Sequence, residues 1–188
     1  MPTYLYRMKN LVIHPTDAST DFLKPIYANI TNATIMNSGI GKGQVAQAIS
    51  EHDRIIMLGH GSPYGLFSIG QFFGKNGYVI DFTMAPILEN KECISIWCNA
   101  DQFMNRHQLY GFYSGMFISE VGEATYCGLP GTEQETVTAS NDYFAELLGE
   151  VINEPLSVIY EHVKENYGLL TEDNPVALYN HNRLYLAE

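Results

Sequence analysis

The nonapeptide Arg54-Ile55-Ile56-Met57-Leu58-Gly59-His60-Gly61-Ser62 (RIIMLGHGS) runs four consecutive apolar residues into a histidine held between two glycines. An unbroken apolar run of this length, without polar alternation, predicts a strand buried on both faces, as inside a parallel sheet. In such folds ligands sit in the loops beyond the carboxyl ends of the strands. His60 occupies that position, so the question is whether the chain supplies it with a chemical partner.

Outward from this strand, short apolar runs alternate with helical patterns. Leu11–Ile13, Ala33–Met36, Cys93–Trp97 (CISIW) and Gly115–Ile118 (GMFI) read as further strands, and a last strand is expected within Pro175 to Leu186 (VALYN, RLYLA). Helical patterns fall at 19–29, opened by Ser19 or Thr20 and interrupted by Pro25, and at 43–52, where Val45 and Ile49 share an apolar side. Others fall at 83–91, with Thr83 as N-cap, at 101–109 with Gly111 as a stop, and near 135–153 and 155–167. Residues 64–82 differ: they are rich in aromatics and glycine, and Gly74-Lys75-Asn76-Gly77 reads as the turn of a hairpin insertion. The order predicts a single α/β domain over 1–188, a three-layer sandwich around a mostly parallel sheet, with a helical C-terminal part over about 135–188.

The bulk numbers narrow the function classes. The chain has 188 residues and a formal net charge of −11, from 21 Asp plus Glu against 10 Lys plus Arg. Such a chain lacks the clustered cations that phosphate backbones require, which argues against nucleic-acid binding. It is also repelled by anionic membranes, and no apolar run approaches the roughly 18 residues of a membrane span. A basic peptide is the partner its charge would attract. Cys93, Cys98 and Cys127 are odd in number and show no CxxC spacing, which points to a reducing compartment. The N-terminal segment has no signal-peptide pattern, so a cytoplasmic location is expected.

The carboxyl-end rule selects His14 and Asp17 after the first strand, His60 after the third, Cys98 after the fourth, and Ser119 and Glu120 after the fifth. His60 and Cys98 end strands expected to be neighbours, 38 residues apart in sequence. A free thiol has a pKa of roughly 8.5, and an adjacent imidazole can take its proton and later return it to a leaving group. Backbone N–H groups of Gly61 and Cys98 are the candidates for holding an oxyanion. His14, Asp17, Ser119 and Glu120 are candidates for lining a substrate pocket, where an acidic wall would favour Lys or Arg.

An apolar strand ending in His-Gly, followed about 40 residues later by an apolar strand ending in Cys, resembles the caspase-like cysteine peptidase superfamily of caspases, legumains, gingipains, clostripain-like enzymes, separases and CHAT-type domains. The resemblance covers about residues 10–120. It implies a caspase-like fold, peptide-bond hydrolysis through a thioacyl-enzyme, His60 as catalytic histidine, Cys98 as nucleophile, and Gly61 with Cys98 as oxyanion donors. It implies no metal and no organic cofactor. Trp97 stands before Cys98, where many members carry a small residue. Some members are inactive adaptors, so a binding or scaffold module is the alternative.

A third reading, a flavodoxin-like nucleotide- or anion-binding domain, draws on Ser38-Gly39-Ile40-Gly41-Lys42-Gly43. That loop meets neither GxxxxGK[ST] nor GxGxxG. Gly111 to Gly115 (GFYSG) is not GxSxG, because its serine is one place late. No HExxH occurs, and His52, His107, His162 and His181 lack partners at ligand spacing.

Overall fold

A computed structural model describes residues 8–38, 41–68 and 77–188. Its strands are β1 (Asn10–Ile13), β2 (Ala33–Met36), β3 (Arg54–Leu58), β4 (Gly61–Ser62), β5 (Gly65–Phe67), β6 (Tyr78–Ile80), β7 (Glu92–Ile96), β8 (Gly111–Ser114) and β9 (Leu184–Ala187). Six of them form one sheet in the order β2-β1-β3-β7-β8-β9, and β4-β5-β6 form a separate antiparallel sheet. Within the large sheet every neighbouring pair is parallel except β8–β9. The fold is therefore α/β with a mostly parallel central sheet, as the alternation of apolar runs and helical patterns predicts.

Successive side chains of each central strand serve opposite layers, which is why these strands are apolar throughout. Leu11, Ile13, Ile55, Met57 and Cys93 point to one face, where α1 (Lys42–Glu51), α2 (Ala85–Leu88) and α3 (Ala100–Arg106) supply Val45, Ile49, Leu88, Phe103 and Met104. Val12, Ile56, Leu58, Ile94, Ile96 and Phe112 point to the other. That face is covered by a 3-10 helix over Ala18–Tyr27 and, beyond α4 (Val121–Tyr126), by α5 (Gln134–Glu150), α6 (Leu156–Gly168) and α7 (Pro175–His181). The four apolar residues of β3 are all 0% exposed, and burying each contributes about 1.5–3 kcal/mol.

Several expectations need correction. The fifth parallel strand is Gly111–Ser114, not Gly115–Ile118. Gly111 reads as a stop, yet it is a strand residue: its φ is +152° and a Cβ there would lie 2.0 Å from the Cys93 carbonyl oxygen. A glycine inside a strand marks close backbone approach. Ile118 looks like a strand residue but takes its partners elsewhere. The buried Asn180 side chain accepts from Ile118 N (2.7 Å) and donates to Ile118 O (2.9 Å), replacing a neighbouring strand.

The helix caps also move. Asp17, not Ser19 or Thr20, caps the 3-10 helix, and Asp81, not Thr83, caps the turn that leads into α2. A carboxylate two residues ahead of a free N–H reaches it more directly than a hydroxyl inside the turn. The expected long helices at 83–91 and 101–109 are the shorter α2 and α3. Val-Ala-Leu-Tyr-Asn is not strand but lies in α7, and only the final segment pairs with β8. The β5–β6 hairpin pairs as expected, while most of its predicted turn lies outside the described residues.

Candidate active site

The sheet order reverses between β1 and β3, and the crevice at such a reversal is where open α/β folds place ligands. Loops after β1, β3 and β7 therefore meet at one edge. Leu58 is level with Ile96 in the β3–β7 register, and Gly59 N still donates to Ile96 O at 3.1 Å. His60 and Cys98 each follow two residues beyond these strand ends. Both line one small cleft with Thr20, Phe22, Leu23 and Phe117.

His60 is tethered from the loop after β1. Ser19 Oγ donates to Asp17 Oδ1 at 2.6 Å, so its lone pair accepts from His60 Nε2, also at 2.6 Å. Asp17 Oδ2 lies 3.4 Å from the same nitrogen. The network assigns the ring proton to Nε2 and leaves Nδ1 as the lone-pair nitrogen, the form a general base requires. Partial burial alone would raise the Asp17 carboxyl, but hydrogen bonds from Ser19 and Thr20 and the charge of His60 hold it below its ordinary range. The arrangement is not a serine triad, because the acid and the serine share one ring nitrogen instead of flanking the ring.

Cys98 is held differently. It is partly buried, and its thiol donates to Phe117 O (3.3 Å) and to Glu123 Oε1 (3.6 Å). Burial, with the Glu123 carboxylate adding to it, pushes the thiol up to about 12. The other Glu123 oxygen accepts from Ser119 N, Ser119 Oγ and Glu120 N at 2.7, 3.0 and 3.1 Å, closing a capping box at the start of α4. Among the described residues no hydrogen bond joins His60 to Cys98. The cleft has a volume of about 10 Å³, room for one water. Phe22 and Phe117 stack along it with ring centroids 6.5 Å apart.

Gly61 and Trp97 explain each other. A Cβ on Gly61 would lie 2.1 Å from Trp97 Cδ1, and the indole nitrogen donates to Ser62 O at 3.1 Å. The glycine after the histidine is thus fixed by the large residue before the cysteine. Phe67 N donates to His60 O, which makes Gly61↔Leu66 a non-hydrogen-bonded pair and leaves the Gly61 N–H outside the ladder.

Of the substrate-lining candidates, Ser119 lines the cleft and Glu120 is exposed as the N-cap of α4. Asp17 is engaged with Ser19 and His60. His14 is fully buried, bonded to Tyr27 Oη (3.0 Å) and Thr20 Oγ1 (3.2 Å), and lies beneath the site instead of lining it. Burial, aided by Lys24, lowers its pKa to about 4. Ser19 and Glu123 were not singled out from sequence for this site. The only local signs are the capping patterns Asp17-x-x-Thr20 and Glu120-x-x-Glu123.

In the glycine-rich loop, Gly41 N donates to the Gln44 side-chain oxygen Oε1 at 2.9 Å, and Lys42 is ion-paired with Asp81. Among the described residues no three His, Cys, Asp or Glu side chains group as a metal site, and no helix is long and apolar enough to cross a membrane. No protein-family model matches the chain, and no curated protein matches it significantly.

Proposed function

We propose that the protein is a small cysteine peptidase of the caspase-like type, acting through Cys98 and His60. The observation that supports the reading is that these two residues follow the carboxyl ends of the adjacent parallel strands β3 and β7 and line one cleft, with His60 Nε2 held by Ser19. Nδ1 takes the thiol proton as sulfur attacks the scissile carbonyl, and the N–H groups of Gly61 and Cys98 hold the oxyanion. The imidazolium then protonates the leaving amine, and water hydrolyses the thioacyl-enzyme with His60 again as base. The Cys98 thiol must first leave Glu123. Neither a metal nor an organic cofactor has a part in these steps. The net charge of −11 favours a basic peptide substrate, and the three free cysteines fit a cytoplasmic enzyme.

A second reading has its own observation. The thiol is bonded to a carbonyl and a carboxylate and pushed up to about 12, beside a cleft with room for one water. These features favour a scaffold on the same fold that has no hydrolytic role.

A peptidyl acyloxymethyl ketone with lysine at the terminal position separates the two. The peptidase reading expects labelling at Cys98, slowed at least about tenfold by His60→Ala, the scale of one general base. Labelling of Cys98 no faster than that of Cys127, and insensitive to His60→Ala, would establish the scaffold.

A further inference from the structure

The small β4-β5-β6 sheet meets the end of α3 around a cavity of about 380 Å³. That volume is within the range of small-molecule sites, about 300–1,000 Å³. Its walls are Tyr64, Tyr78, Asp81, Phe82, Arg106 and His107, none of which lines the His60–Cys98 cleft. Tyr64 and Phe82 leave 62% and 68% of their surfaces in solvent. Large rings held this open at a concave site are surface left for a ligand to cover.

The charges choose the ligand. Asp81 is spent: Oδ1 accepts from Thr83 N and Thr83 Oγ1 at 2.9 and 2.5 Å, and Oδ2 is ion-paired with Lys42. It therefore recruits no cation. Arg106 is the opposite case. Lys42 and Arg54 pair with carboxylates, and Lys91, Lys164 and Arg183 donate to carbonyls. Arg106 makes no hydrogen bond or ion pair among the described residues, and its guanidinium lies 5.0 Å from the Tyr64 ring centroid. His107 beside it packs on Phe103 at 4.7 Å and has no hydrogen bond from its ring to any described residue. Burial and the Arg106 charge lower its pKa, which keeps the ring neutral. The cavity thus presents a guanidinium that rests over the Tyr64 ring with no carboxylate or carbonyl partner among the described residues, a neutral imidazole and aromatic faces.

We infer that this cavity binds a carboxylate carried on a flat aromatic body, with Arg106 forking onto the carboxylate and Tyr64, Tyr78 and Phe82 covering the ring. A guanidinium fork matches a carboxylate in bidentate geometry, and the single cation balances a single negative charge. The carboxylate belongs either to a free aromatic acid or to the C-terminal aromatic residue of a peptide. The site stands whether or not Cys98 is a nucleophile.

Isothermal titration calorimetry of the full chain tests it, with 4-hydroxyphenylacetate against 4-hydroxyphenylacetamide, and Gly-Gly-Phe with a free terminus against its C-terminal amide. The expected result is saturable binding of an acid at least about tenfold tighter than that of its amide. Arg106→Gln should abolish that preference, and Phe82→Ala should weaken acid and amide alike. Arg106 is exposed, so the variant should melt as the parent does. Tighter binding of the free acid than of the peptide marks a small-molecule site, and the reverse marks a chain-terminus site. No binding of either acid up to about 10 mM, equal binding of acid and amide, or an acid preference that survives Arg106→Gln would overturn the inference.

Discussion

An ionisable side chain stands at each end of the β3 segment, Arg54 at its start and His60 two residues beyond its end, and the two are treated in opposite ways. At the amino end Arg54 is fully buried and fully answered: Nε and Nη2 donate to Glu92 Oε2 at 3.0 and 2.6 Å, and Nη1 donates to Ile152 O at 2.7 Å. Beyond the carboxyl end His60 is held, among the described residues, through Nε2, and its side chain keeps 21% of its surface in solvent. A buried charge must be paired at once or the fold fails, whereas a half-held imidazole is tolerated because its neutral form costs little. At the amino end of the strand the charge is thus fully paired, and beyond the carboxyl end the imidazole is only partly held.

The sharpest way to break this contrast is to remove one partner at each end. Glu92→Ala strands the Arg54 guanidinium and should cost about 3 kcal/mol in urea unfolding. His60→Ala should cost less than about 1 kcal/mol. Equal losses would make the carboxyl end as structural as the amino end.

His14 tests the same contrast through pH. Its folded pKa of about 4 lies below the unfolded value near 6.5, so the unfolded chain binds the proton first. Its stabilising effect is complete above about pH 6.5 and lost as pH falls toward 4, by about 3 kcal/mol over that window. His14→Asn should flatten that part of the curve of unfolding free energy against pH. Asp17 has a depressed pKa, so its contribution is retained above its unfolded value and lost only at more acid pH.

Gly61→Ala forces a methyl against the Trp97 indole and the Gly65 carbonyl. It should cost about 2 kcal/mol, the usual scale of overpacking. Combining it with Trp97→Leu should recover part of that loss, which a double-mutant cycle would read as coupling. The smallest effect concerns Cys98. Glu123→Gln removes the charge beside the thiol and should speed alkylation by iodoacetamide about threefold to tenfold at pH 9. Cys93 is 0% exposed and also pushed up to about 12, and it serves as the unreactive control.

Much of the carboxyl edge was legible in the chain itself. Ile55–Leu58 and Cys93–Ile96 are continuous apolar runs, so their burial follows from side-chain chemistry alone. His60 and Cys98 come next in line, so their position at a strand end follows too. The fifth strand was displaced by four residues because Gly111 carries two meanings, stop or close approach, and only the neighbouring Cys93 carbonyl distinguishes them. VALYN has the composition of a strand, yet Asn174 caps it and Pro175 starts it as a helix.

What surrounds the two candidate groups was not legible. Ser19 reaches His60 across 41 residues, and Glu123 reaches Cys98 across 25. Apolar periodicity is a local property of the chain, so the sequence by itself determined the central strands β1, β3 and β7 and the edge at which His60 and Cys98 emerge. Which loops meet at that edge depends on β1 lying beside β3 and on the path from β8 into α4. Tertiary structure alone therefore decided that the imidazole is tethered through Nε2 and that the thiol is turned toward a carboxylate.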